Sequence, residues 1–284
     1  MRILVTGANG FLGRGVVKKL LDMGYEVAAA DRNVNKVDER ASLYACDIFD
    51  VQDPWSYFNK PDVLLHMAWR NGFQHESDTH IEDLPKHYMF LKRVAKSKCQ
   101  TIAVMSSMHE VGQWEGMITE NTPCNPMTPY GISKNTLKAL TKMFCTQYGK
   151  VFLWLRGFYV VSEDHDGSSI FSKIMQAENE GKKTFPFTTG EASFDFLEYE
   201  KYCQYIAKAV VQNQVTGIIE ICSGYPERIS DCVERFIHEN NLHICLEYGA
   251  FPSRVYDNRI VWGDRQKIDK ILKNAQKGEM DNGL

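Results

Sequence analysis

The residues with the most chemical meaning are Tyr130 and Lys134, in the run Tyr130-Gly131-Ile132-Ser133-Lys134. In a helix, positions i and i+4 share a face, so the phenol and the ammonium point into one space. A free tyrosine titrates near pH ~10, and a neighbouring cation favours its phenolate, which makes a proton relay workable nearer neutrality. One element earlier, an apolar run ends in Met105-Ser106-Ser107, where the Ser107 hydroxyl could hold a reacting oxygen. A capping hydroxyl at a strand end is the plainer role for that serine.

A second constellation lies near the start of the chain. Thr6-Gly7-Ala8-Asn9-Gly10-Phe11-Leu12-Gly13 follows an apolar run and opens an amphipathic one. In a strand–turn–helix, Gly7 permits the tight turn, Gly10 lets a pyrophosphate approach the backbone, and Gly13 lets helix and strand pack closely. The spacing is GxxGxxG, and a dinucleotide is the expected ligand. Asp31 closes the second strand, where a carboxylate accepts hydrogen bonds from an adenosine ribose and repels a 2′-phosphate. NAD(H) is therefore favoured. Arg32 keeps NADP(H) open, because a guanidinium can pair with that phosphate. Asp47 and Ile48 follow the third strand and are candidates for contact with adenine, although an Asp there is often only a turn former.

These groups need a scaffold. Ile3–Thr6, Glu26–Ala30, Leu43–Cys46, Val63–His66, Thr101–Met105, Val151–Leu155 and Gly217–Ile221 read as strands, several apolar throughout. Phe11–Met23, Asp83–Lys96, Thr128–Tyr148, Ser168–Glu180, Tyr199–Gln212, Ile229–Glu239 and Arg265–Asn274 read as helices, with the run after Ala250 otherwise a loop and Gln276–Leu284 frayed. Such alternation implies an α/β fold, a doubly wound parallel sheet of the Rossmann type with a small C-terminal substrate-binding cap. Residues 1–160 and 192–222 are expected to form the dinucleotide-binding domain, and 161–191 and 223–284 the cap.

With the glycine turn, Ser107 and YxxxK in this order, the chain resembles the extended short-chain dehydrogenases/reductases of the NAD-dependent epimerase/dehydratase family, which modify nucleotide sugars. The resemblance covers essentially the whole length. Thr119-Glu120-Asn121-Thr122-Pro123-Cys124-Asn125-Pro126 is similar to the family's E-x-x-P-x-x-P approach to the catalytic helix. Val63-Leu64-Leu65-His66-Met67-Ala68 resembles its V-x-H-x-A-A strand, Leu155-Arg156 its L-R strand end, and Ser193-Phe194-Asp195-Phe196-Leu197 its R-D-F-I segment with serine in place of arginine. The resemblance implies that Ser107 orients the substrate carbonyl, Tyr130 transfers the proton, and Lys134 binds the nicotinamide ribose and tunes Tyr130. It adds Met67 and Ala68 to the cofactor contacts, and Met108, His109 and Arg254 to the substrate contacts. Trp69 departs from the family's second alanine and is expected to narrow the cofactor pocket. The helix that carries N-x-x-G-T in the family reads Glu82-Asp83-Leu84-Pro85-Lys86-His87, without that asparagine. Where 4,6-dehydratases carry an Asp-Glu pair this chain has Met108-His109, and methionine cannot move a proton, so dehydration is not expected.

Bulk properties exclude other classes. A net charge of −3 and a pI of about 6.3 give no reason to expect nucleic acid or an anionic membrane as partner. No apolar stretch spans a bilayer, the first residues lack a signal peptide's pattern, and the eight cysteines have no CxxC pair. A cytoplasmic location with reduced thiols is expected, and the histidines show no ligand spacing, so no metal is assigned. The reading is a reductase of a keto group, C4 by resemblance, on a nucleotide-linked (deoxy)hexose, with homodimerisation through Asp83–Lys96 and Thr128–Tyr148 by analogy. An epimerase with retained NAD is the runner-up. A bifunctional form would need an extra base, for which His109 and His165 are the nominees, and a non-catalytic NAD(P)-binding sensor ranks last.

Overall fold

The computed structural model describes residues 1–163, 167, 169–251 and 258–281. Seven strands, β1 (Arg2–Thr6), β2 (Glu26–Asp31), β3 (Ser42–Ala45), β4 (Val63–His66), β5 (Thr101–Ser107), β6 (Val151–Gly157) and β7 (Gly217–Ile221), make one parallel sheet. Their order is β7-β6-β5-β4-β1-β2-β3. The inner strands are apolar at nearly every position because helices cover both faces; β4 is buried at all of its residues. Strand order reverses at β1 and β4, which opens a crevice beyond their carboxyl ends.

The longer helices are α1 (Phe11–Asp22), α2 (Thr79–Lys96), α3 (Pro129–Tyr148), α4 (Ile170–Asn179), α5 (Tyr199–Val210), α6 (Ile229–Glu239) and α7 (Gln266–Asp281). On one face of the sheet α1, α5 and α7 bury Val16, Leu20, Ile206 and Ile268. On the other, α2 and α3 bury Phe90, Leu91, Leu137 and Phe144. Local chemistry sets the ends of α3: the Thr128 hydroxyl accepts from the Gly131 amide, Pro129 opens the first turn, and Gly149 closes the helix at φ 61°. Helix α2 begins at Thr79, four residues before the expected start at Asp83. Pro85 lies within the helix on an exposed position, where Ile81, whose carbonyl loses its amide donor, also faces solvent.

A second, smaller layer sits over the carboxyl ends of the strands. Its strands run in the order Pro226–Arg228, Ser193–Glu198, Ile260–Gly263, Gly116–Ile118, with Tyr159–Val161 beside Ser193–Glu198. Helices α4 and α6 close over it on Phe171, Ile174, Phe187, Phe196 and Phe236. Buried Asp195 ties this layer together, accepting from the amides of Ser223, Gly224 and Gly263. The C-terminal stretch departs from the sequence expectations in three places. The run after Ala250 contains the strand Ile260–Gly263, and the segment expected to fray from Gln276 is helical to Asp281. Helix α7, placed with the cap, packs instead against the sheet, because Ile268 and Ile271 enter its core. No helix among the described residues is long and apolar enough to cross a membrane.

Between sheet and cap lies a charged cluster sealed from water. Arg156, fully buried at the end of β6, donates to Glu110 through Nε (3.0 Å) and Nη2 (2.9 Å), and to Glu220 through Nη1 (2.8 Å). Burial works against the charge of Glu110, but Arg156 and Lys138 outweigh it and its carboxyl titrates below the ordinary range. Glu220 goes the other way, pushed up to about 7 by burial despite Arg156. Arg156→Met would leave two buried carboxylates without their main cation. A loss of about 3–5 kcal/mol of stability is expected, roughly 6–20 °C in melting temperature. Both carboxyls would then titrate above their unfolded values, so their cost rises with pH. The melting deficit should be larger at pH 8 than at pH 5.5; a deficit equal at both would show that the cluster's charges do not carry it.

Candidate active site

The end of β5 and the start of α3 meet because Gly131 has no side chain. A Cβ there would lie 2.5 Å from the His109 carbonyl oxygen, so only glycine lets the helix approach the turn that follows Ser107. That approach sets the Tyr130 phenol near Ser107, whose hydroxyl favours the phenolate and whose Oγ accepts from the His109 amide at 3.3 Å. Lys134, one turn along, is buried and donates from Nζ to the Met105 carbonyl at 2.9 Å. Ser107, Tyr130 and Lys134 thus lie in one region, with Lys134 Nζ 5.9 Å from the centroid of the Tyr130 ring. Burial pushes Tyr130 above its ordinary value, with Ser107 opposing, and brings Lys134 down to about 7.

The turn itself is held from behind. Glu110 Oε2 accepts from Ser106 Oγ at 2.5 Å and from the Trp154 indole at 2.6 Å, while Oε1 accepts from Lys138 at 2.8 Å. These bonds commit Glu110 to structure and remove it as an acid or base. Met108 was expected to touch substrate; it is buried with Val111, Ile118 and Phe158, because the turn points it into the seam between sheet and cap. His109 faces a cavity of about 450 Å³, which Phe73, Met127, Tyr159 and Phe194 also line. Arg254 and His165 lie outside the described residues.

His75 is a residue that sequence reasoning passed over. Its ring lies flat on Tyr130, 4.8 Å between centroids at 6°, and 4.3 Å from the His109 ring. Its carbonyl accepts from the Tyr130 amide at 3.1 Å. Burial lowers both imidazoles, His109 to about 3, so both stand neutral at physiological pH and can donate to or accept from a sugar hydroxyl.

The glycine turn fits a dinucleotide. A Cβ at Gly13 would lie 2.1 Å from the Gly7 carbonyl oxygen, so that contact is a packing requirement, whereas one at Gly10 would meet only that same oxygen, at 3.2 Å. Gly10 caps α1 with no side-chain bond, which leaves the first amides, those of Phe11, Leu12 and Gly13, for an anion. The side chains of Phe11 and Leu12 do not share in this: Phe11 packs on Tyr199, ring centroids 4.8 Å apart and tilted by 42°, and Leu12 packs against the core. A cleft of about 260 Å³ runs past Gly7 and Gly10 to Asp31, Arg32, Asp47 and Ile48 on one side and to Met67, Ala68 and Trp69 on the other. Asp31 accepts from the Asn9 amide at 3.0 Å and the Arg32 amide at 2.7 Å. The Asn9 side chain accepts from the Lys36 amide, holding the loop after β2. Arg32 reaches Asp47 Oδ2 with Nε (3.2 Å) and Nη2 (3.1 Å), and Asp47 Oδ1 caps the next turn at Phe49.

The family model for the NAD dependent epimerase/dehydratase family matches residues 3–222. The chain is 39% identical to dTDP-6-deoxy-L-talose 4-dehydrogenase (NAD(+)) of Aggregatibacter actinomycetemcomitans, covering 93% of this chain and 99% of that protein. It is 26% identical to a putative UDP-glucose 4-epimerase of Methanocaldococcus jannaschii, over 84% and 82% of the two chains. Among solved structures, UDP-N-acetylglucosamine 4-epimerase from Methanobrevibacter ruminantium superposes with a TM-score of 0.83 at 20% identity, covering 95% of this chain and 91% of the other. DesIV, a dTDP-glucose 4,6-dehydratase from Streptomyces venezuelae, superposes at 0.81 with 18% identity, over 95% and 90%. These two share the fold. The matched span takes in both the glycine turn and the Tyr130 helix, and the chain belongs to the NAD dependent epimerase/dehydratase family.

Proposed function

We propose that the protein is an NAD(H)-dependent oxidoreductase that interconverts carbonyl and alcohol at C4 of a nucleotide-linked 6-deoxyhexose, working as a ketoreductase. The observation that carries this reading is the placement of Ser107, Tyr130 and Lys134 beside a cavity lined by Phe73, Met127, Tyr159 and Phe194 together with the polar groups of His75, His109, Glu76 and Gln113. Bound NAD(H) would supply the hydride, held by the α1 amides, Asp31 and Lys134. Ser107 holds the C4 oxygen, Tyr130 gives it a proton on reduction and takes one on oxidation, and Lys134 stabilises the phenolate. His75 and His109 offer neutral hydrogen bonds to ring hydroxyls, and Phe73, Met127, Tyr159 and Phe194 suit a methyl at C6. Elimination of water would need the Asp-Glu pair that follows the serine in 4,6-dehydratases, and this chain has Met108-His109 there, with Met108 buried and unable to move a proton. The relative that acts on dTDP-6-deoxy-L-talose supports the substrate class.

The reading extends to assembly and place of action. Ile81 and Met89 on α2, with Ile132 and Met143 on α3, are exposed apolar side chains on paired helices, and they form the contact of a homodimer. The described cysteines are all unpaired, in keeping with work in the cytoplasm.

Wild-type protein should oxidise dTDP-6-deoxy-L-talose with NAD and reduce the corresponding 4-keto sugar with NADH, followed by absorbance of the reduced cofactor. Tyr130→Phe keeps the ring and removes the proton donor, so turnover should fall by ~10²–10⁴-fold with cofactor affinity little changed. Near-normal turnover in that variant would sink the assignment. Cofactor choice gives a separate check. NAD(H) should bind better than NADP(H), since Arg32 is engaged by Asp47 and Asp31 faces the cleft. Asp31→Ala should narrow or reverse the gap, and a wild-type preference for NADPH would refute this role of Asp31.

A further inference from the structure

Lys134 holds its place with one hydrogen bond to protein, at Met105 O, although the ammonium can make three. What faces it otherwise is an aromatic ring: Nζ lies 3.7 Å from the centroid of the Trp69 indole. That indole is not free to turn. Its Nε1 donates to His80 Nδ1 at 3.0 Å, and because indole nitrogen can only donate, the proton of His80 sits on Nε2, which donates to the Gln74 carbonyl at 2.9 Å. The ring also stacks on His87 at 4.5 Å and 20°, and meets the Tyr130 ring edge-on at 6.0 Å. His87 is fixed in turn by His66, through Nδ1 and Nε2 at 2.8 Å, and His66 by Thr6 Oγ1 at 2.8 Å. His80 and His87 stand seven residues apart on α2, two helical turns, so both imidazoles reach Trp69 from one helix face.

We propose that Trp69 is the positioning residue for Lys134: its indole face, locked by His80 and His87, holds the ammonium against Tyr130 and stabilises its charge inside the protein. A cation over an indole face gains more where water is excluded, and Lys134 is 4% exposed. The groups facing Lys134 are few. Tyr130 lies on its own helix, the Met105 carbonyl on β5, His66 on β4, His87 on α2 and Glu110 on the turn after β5. The two histidines are held neutral, His87 at about 3, chiefly by burial, and Glu110 favours the charged ammonium while burial opposes it. The indole is thus a second favourable influence on the charge, alongside Glu110. The inference rests on the catalytic reading of Lys134 only for its consequence in turnover.

The test is the titration of Lys134 in cofactor-free protein carrying ¹³C-labelled lysine, its signal assigned by its loss in Lys134→Arg. Trp69→Leu keeps the site apolar and removes the ring face, and should move the midpoint down by about one pH unit from wild type. Trp69→Phe keeps a ring face and should stay within about half a unit. In turnover, the alkaline limb of the pH profile should move to lower pH in the leucine variant by a like amount. If Trp69→Leu does not fold, Trp69→Met takes its place with the same expectation. Equal midpoints in wild type, phenylalanine and the aliphatic variant would overturn the proposal and leave Trp69 as packing. A shifted midpoint with no turnover on any 4-keto sugar would instead fault the substrate reading alone.

Discussion

Glu110 is a carboxylate with no access to water, and its four side-chain partners decide where the chemistry happens. Ser106, Trp154, Arg156 and Lys138 reach it from β5, β6 and α3. Such a group is tolerated only if every lone pair is used, and here the bonding fixes the turn from Ser107 to Glu110 in one conformation. The His109 carbonyl is then available for the close approach of Gly131, and that approach sets Tyr130 against Ser107. A site assembled from two elements gains its geometry from a third group that reacts with nothing.

Burial that fixes these groups also sets their protonation. Taking Tyr130 and Lys134 out of water moves them in opposite directions, the phenol up and the ammonium down to about 7. Before substrate binds, the phenol therefore carries its proton, the state needed for reduction. His75 and His109 are neutral for the same reason, and a neutral pair can bind a sugar without pulling charge into the site. Desolvation thus leaves the free site with the protonated phenol from which reduction starts, while oxidation starts from the phenolate that Ser107 favours.

Local signals were legible in the sequence, and tertiary ones were not. The glycine turn, Asp31, and the Thr128-Pro129 start of the Tyr130 helix each depend on residues adjacent in the chain, and they fall as read. Strands Gly116–Ile118 and Ile260–Gly263 are three and four residues long and pair with each other across the chain, so neither carries a periodicity of its own. Met108 and His109 are neighbours with opposite fates, one in the seam and one in the cavity, because the turn after β5 does not follow the alternation of a strand. His80 and His87 look like a polar scatter until α2 is seen to begin at Thr79, and His75, in the loop before it, carries no periodicity at all. Arg156 was visible only as part of a family motif, and no spacing rule joins it to Glu110.

A ketoreductase delivers hydrogen to C4 of its nucleotide-linked sugar from NADH taken up from solution, and must exchange that cofactor every cycle, whereas an epimerase returns the same hydride and keeps its NAD. This difference is tested most directly by supplying NADH deuterated at the transferring position of its nicotinamide, together with a dTDP-linked 4-keto-6-deoxyhexose. One deuterium should appear at C4 for each NADH consumed, from protein purified with little bound cofactor. Stoichiometric NAD retained through purification, with two nucleotide sugars interconverting and no NADH consumed, would contradict the account and identify an epimerase.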